Sequence, residues 1–156
     1  MFEIRAATVA DAALISAYRR AMFIEMGRPQ DVNLETMIDH FEPWVMRMIN
    51  DGKYFGWITE NGGRPIASAA LLILDWPPHF SDPTGEHRGY LHNVFVEPTY
   101  RRRGLARALV ERCMVEARLR RIRVVALHCH ETLRPLYEDY GFHTSKEMQF
   151  VEPPWE

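Results

Sequence analysis

Residues Ile66 to Leu74, read Ile-Ala-Ser-Ala-Ala-Leu-Leu-Ile-Leu, form a near-continuous apolar run. A strand wetted on one face alternates apolar and polar side chains, so a run without alternation belongs inside a sheet. Just upstream, Tyr54 to Thr59 is rich in β-formers and Asn61-Gly62-Gly63 is a turn signal. Together they predict an antiparallel hairpin in the middle of a sheet.

The chain before this hairpin has helical spacing. Thr8 and Asp11 offer caps for a helix whose apolar positions run through Ala12, Leu14, Ile15, Tyr18, Ala21, Met22 and Met26. Gly27 to Val32 reads as a loop. Asn33 is placed to cap a second helix with Leu34, Met37, Ile38, Phe41, Val45, Met48 and Ile49 as its stripe, and Pro43 should kink or divide it. Glu3 to Ala7 is a short strand ahead of both.

After the hairpin, Asp75 to Arg88 is a long loop with three prolines, a length that points to function or mobility. Tyr90 to Val96 is a strand stopped by Pro98. Gly104 to Leu119 is a helix, Ile122 to His128 a buried-type strand, and Glu131 to Tyr140 a helix closed by Gly141. His143 to Val151 makes a last strand. The order is one strand, two helices, three strands, then helix, strand, helix, strand. It predicts one mixed α/β domain over residues 1–156, a length that suits a single core.

Composition narrows the function. The chain is 47% hydrophobic and 26% charged, with a formal net charge of −2. A protein devoted to nucleic acid is usually basic overall, so the triplet Arg101-Arg102-Arg103 is a local feature and no nucleic-acid partner is expected. No apolar run approaches the ~20 residues that span a bilayer, and the N-terminus lacks the pattern of a signal peptide. No membrane partner and a cytoplasmic location are therefore expected. Cys113 and Cys129 suggest neither a disulfide framework nor a metal knuckle.

The chemistry concentrates where the strand ending at Pro98 turns through the arginines into a helix at Gly104. First-turn N–H groups lack intrahelical partners, and the helix dipole makes that end electropositive. Gly104 and Ala106 are small, so a bulky anion can approach the backbone, and the arginines add charge. This is a pyrophosphate site. It is not a Walker loop, because the GxxxxGK[ST] spacing is absent, and GxGxxG is missing too.

Arg101-Arg102-Arg103-Gly104-Leu105-Ala106, after a strand ending Val94-Phe95-Val96, resembles the R/Q-x-x-G-x-G/A signature of the GNAT superfamily of acyl-CoA-dependent N-acyltransferases. Leu136-Tyr137-Glu138-Asp139-Tyr140-Gly141-Phe142 resembles the second motif of that family, LYExxGF. The family pattern is departed from at His130 and Leu133, where Asn and Ala are common.

The resemblance implies an α+β GNAT fold: a mixed, mostly antiparallel sheet of six to seven strands flanked by about four helices. It implies acetyl-CoA as co-substrate and no metal. Backbone groups of Arg103 to Arg107, with Arg101 and Arg102 beside them, would hold the coenzyme A pyrophosphate. Val94, Phe95 and Val96 would pair with the pantetheine arm beside a gap between strands. Tyr137 would protonate the leaving thiolate. The activity implied is acetyl transfer to a primary amine of a small molecule or peptide. The alternative is an acyl-CoA-binding domain without catalysis, and a homodimer is compatible with either.

The amine must also lose a proton. Alternation places Tyr90, His92, Val94 and Val96 on one face of their strand and Leu91, Asn93 and Phe95 on the other. The segment resembles the strand of arylalkylamine acetyltransferases in which a histidine at the His92 position removes the proton, and histidine titrates near neutrality. His92 could equally be a structural histidine. Asp75, His79 and Glu86 are alternatives in the long loop. His128 and His130, two apart, could bind a metal only with further ligands, and Cys129 has no demonstrable partner as a nucleophile.

Overall fold

The structure is a computed structural model, and it describes residues 1–154. Five strands form one sheet in the order β1-β2-β3-β4-β5. They are β1 (Phe2–Ala6), β2 (Tyr54–Asn61), β3 (Arg64–Asp75), β4 (His87–Val96) and β5 (Val125–Ala126). All neighbours are antiparallel except β4 and β5, which run parallel. Four helices complete the fold: α1 (Ala12–Glu25), α2 (Val32–Asn50), α3 (Leu105–Leu119) and α4 (Arg134–Tyr140).

β3 is the middle strand, as its lack of alternation predicts, and Ile66 through Leu72 are all buried. One face packs Ile66, Ala67, Ala69, Leu71 and Leu91 against Leu105, Leu109, Val110 and Cys113 of α3. The other packs Tyr54, Ala70 and Leu72 against Ala12 and Ile15 of α1 and Phe41 and Val45 of α2. Burial of these side chains contributes about 1.5–3 kcal/mol each for the larger ones. No helix among the described residues is long and apolar enough to cross a membrane.

Five expectations are corrected. The sheet has five strands, not six to seven, because residues 143–151 are exposed and pair with no strand among the described residues. The Ile122 to His128 strand shortens to Val125–Ala126, paired only at Gly89↔Val125 and Tyr90↔Ala126. α2 runs unbroken through Pro43, whose missing N–H costs one helical bond without dividing a helix packed through Leu34, Phe41 and Val45. Asp31, not Asn33, caps α2. Its extended backbone lets the carboxylate accept from Asn33 N (3.0 Å) and Leu34 N (3.3 Å). The predicted helix Glu131 to Tyr140 opens as a 3-10 turn, Glu131–Leu133, before α4.

Candidate active site

β4 carries the site through an irregularity that alternation could not foresee. Ser68 pairs with Phe95 but Ala70 pairs with His92, so β4 spends one residue more than β3 over this stretch. That is a β-bulge, and Asn93 in it has φ 52°, a left-handed conformation that asparagine tolerates better than most residues. The extra residue turns the strand. His92 and Asn93 both face α1 and α2, as does Phe95, whose ring lies 4.7 Å from that of Tyr18. Val94 and Val96 pack on the α3 side instead. The expected sharing of one face by His92, Val94 and Val96 is thus overturned.

β4 is also unpaired along much of its outer edge among the described residues. Its last pairing with β5 is at Tyr90, so from Leu91 to Val96 its outer edge meets no strand. This is a wedge whose edge groups, apart from Val96 O, have no strand partner, suited to an extended ligand that hydrogen-bonds as a strand does.

At the far end of the wedge the chain turns through Pro98–Tyr100 into α3. Gly104 is the N-cap, with φ 80°, and a Cβ built there would meet nothing within 4 Å. The first bond of the helix is Ala108 N to Gly104 O at 3.1 Å, so the amides of Leu105, Ala106 and Arg107 precede the ladder. Open space, free amides and exposed Arg102 and Arg103 fit a pyrophosphate. Leu105 is buried and Ala106 half-buried, so these two serve by backbone and packing. Arg101 turns elsewhere: Nε donates to Val96 O (2.8 Å) and Nη2 to Glu25 (2.6 and 2.8 Å), tying the turn to β4 and to the end of α1. Arg103 lies over the Tyr100 ring, and Arg107 reaches Asp139 at 3.4 Å.

His92 stands among the rings of Phe41, Trp44, Tyr54 and Tyr90, each 6.1–6.4 Å from it by centroid. Its Nε2 lies 3.2 Å from Arg19 Nη1. Arginine has only donors, so Nε2 accepts and the proton sits on Nδ1, which is enclosed without a partner. Burial, then the neighbouring Arg19 charge, push the imidazole down to about 4. The expected titration near neutrality is therefore not what this site produces.

Tyr137 is buried against the α3-side core, with Phe142 at 5.9 Å, and among the described residues its hydroxyl makes no hydrogen bond. Burial holds its phenol above the ordinary range, with the Cys129 and Cys113 thiols adding to the shift. His92 and Tyr137 thus belong to opposite faces of the sheet and do not touch.

The remaining candidates disperse. Asp75 pairs with His87 at 3.4 Å, and His79 Nδ1 accepts from Ser81 N at 3.3 Å. His128 packs on Tyr90, and His130 Nδ1 accepts from Thr132 N. Cys113 is buried, its thiol pushed up to about 12; Cys129 is exposed. The sequence reading missed Arg19, Asn93 and Tyr54. Arg19 had a signal: it lies four residues from Ile15 and four from Phe23, so it shares their helix face.

A model of the acetyltransferase (GNAT) family matches residues 14–142. Among solved structures, a GCN5-related N-acetyltransferase from Ralstonia eutropha JMP134 superposes with a TM-score of 0.93 at 38% identity, covering 97% of this chain and 99% of that one. A predicted acetyltransferase with acetyl-CoA from Clostridium acetobutylicum reaches 0.87 at 27% identity, over 97% and 96%. An aminoglycoside N-acetyltransferase in complex with CoA shares the fold at 16% identity, with a TM-score of 0.73 over 98% and 95%. Among curated proteins none matches.

Proposed function

The chain belongs to the acetyltransferase (GNAT) family, and on that premise we propose that it moves an acetyl group from acetyl-CoA directly to a primary amine of a small molecule or peptide. One observation carries the reading: β4 leaves β5 after Tyr90, and the free edge leads to the open amides at Gly104. The nitrogen bonds to the acetyl carbon, the carbon–sulfur bond breaks, the thiolate gains a proton and the amine loses one.

Each residue has a part in this. Leu105, Ala106 and Arg107 offer amides to the pyrophosphate, with Arg102 and Arg103 adding charge. Arg101 holds the turn in place through Val96 O and Glu25. Val94, Phe95 and Val96 offer the strand edge along which the pantetheine arm lies. Tyr137, on the α3 side, stays protonated and donates to the thiolate. His92, on the α1–α2 side, is neutral with its lone pair on Nε2, and it takes the proton of the amine once that nitrogen exchanges its contact with Arg19 for the amine. A low pKa favours passing a proton on over holding it. A panel of amines with acetyl-CoA and free-thiol detection tests the reading. Coenzyme binding with no thiol release from any amine would show a binding domain instead.

A further inference from the structure

Five arginines in this chain are not exposed: Arg5, Arg19, Arg20, Arg88 and Arg134. Four of them pair with carboxylates, namely Arg5 with Asp11 and Glu60, Arg20 with Glu35, Arg88 with Glu147, and Arg134 with Glu131 and Glu138. Arg19 pairs with none among the described residues. Removing a guanidinium from water is costly unless an opposite charge or a full set of acceptors replaces the water.

Only one of its three nitrogens is in use. Nη1 donates to Asn93 Oδ1 at 2.8 Å and to His92 Nε2 at 3.2 Å. Nε is enclosed without an acceptor, and Nη2 makes no hydrogen bond among the described residues. Nη2, unlike Nε, is not enclosed, so it is the nitrogen left to donate a charge-assisted bond to a carboxylate. The guanidinium stands over the rings of Phe23 and Phe41, its carbon 5.0 and 4.7 Å from their centroids. It is thus fixed in orientation, poorly hydrated and lacking an anion. It lies in direct contact with His92, the residue to which the proposed function assigns the proton of the amine.

We propose that Arg19 anchors a carboxylate on the acceptor, so that the amine acetylated is of the amino-acid type. The carboxylate accepts from Nη2, and the amine lies toward His92 and the open edge of β4. An apolar side chain is accommodated among Phe23, Phe41 and Trp44. The inference rests on the acetyl-transfer reading and supplies its substrate class. Neutralising Arg19 also removes part of what depresses His92, so the carboxylate improves the proton acceptor beside it. The charged or titratable groups facing His92 are Arg19 from α1, Tyr54 from β2 and Tyr90 from β4; α2 contributes only Phe41 and Trp44.

The test compares matched acceptors differing only in the carboxylate: aromatic and aliphatic amino acids, their amides and their decarboxylated amines. kcat/KM is measured with acetyl-CoA by thiol release and referred to the concentration of neutral amine. The wild type should favour each acid by about 10- to 100-fold over its amide, the worth of a charge-assisted hydrogen bond. In Arg19→Met the acid should fall to the level of its amide, and Arg19→Lys should restore part of the preference. Equal use of acid and amide by the wild type overturns the proposal, as does an Arg19→Met variant slowing all acceptors by one factor. Should Arg19→Met fail to fold, the wild-type ratio and Arg19→Lys decide. Transfer without carboxylate preference overturns this inference alone. Absence of any transfer overturns the proposed function with it.

Discussion

Asn93 donates its side-chain amide to the buried hydroxyl of Tyr54 at 3.2 Å, across two strands, from a backbone with φ 52°. Its carbonyl oxygen accepts from Arg19 at 2.8 Å. The bulge is therefore pinned from both ends of one amide, and His92 owes its position to it.

Replacing that residue separates backbone strain from the lost bonds. Asn93→Val forces a β-branched residue into the left-handed region and leaves the Tyr54 hydroxyl unpaired, at a combined cost of about 2–4 kcal/mol. Asn93→Gly loses the same bonds without the strain and should cost less. Denaturant midpoints of the two variants order them, and a glycine variant as unstable as the valine one would contradict the strain assignment.

Gly104 tests the anion site. A Cβ there meets nothing within 4 Å, so Gly104→Ala should cost only the left-handed backbone penalty, about 1–2 kcal/mol. Gly104→Glu adds bulk and negative charge at the proposed pyrophosphate site. Its acetyl-CoA affinity should fall by at least about 10-fold, read by calorimetry. Wild-type affinity in that variant would refute the site.

The hydroxyl of Tyr137 has no hydrogen-bond partner among the described residues, so Tyr137→Phe should leave stability unchanged. If the phenol protonates the thiolate, kcat should drop by about 100-fold or more while acetyl-CoA affinity holds. An unchanged kcat would remove Tyr137 from the mechanism.

His92 should make the fold sensitive to acid. Its folded pKa of about 4 lies below the ordinary 6.5 of an imidazole, so the unfolded chain binds the extra proton first. Stability is therefore full above pH 6.5 and declines as the pH falls toward 4. The wild type should lose about 2 kcal/mol more than His92→Gln between pH 7 and pH 4.5. Parallel losses in the two proteins would show that His92 is not held neutral by the fold.

The sequence by itself determined the parts governed by local rules. The unalternating run from Ile66 had to be an inner strand. The glycine after the arginines had to open a helix, and Gly141, with φ 108°, had to close one. The two motifs around Gly104 and Tyr137 marked the family, because backbone contacts to a phosphate and a strand edge need fixed spacing. Tertiary structure decided the rest. One extra residue in β4 reversed the faces of Val94 and Val96, an outcome that depends on pairing with β3. The charge of Arg101 went to Glu25, far along the chain. The state of His92 was set by burial and by Arg19 from another helix. A pKa and an unpaired guanidinium are properties of neighbours, and neighbours brought together from distant segments cannot be read from spacing.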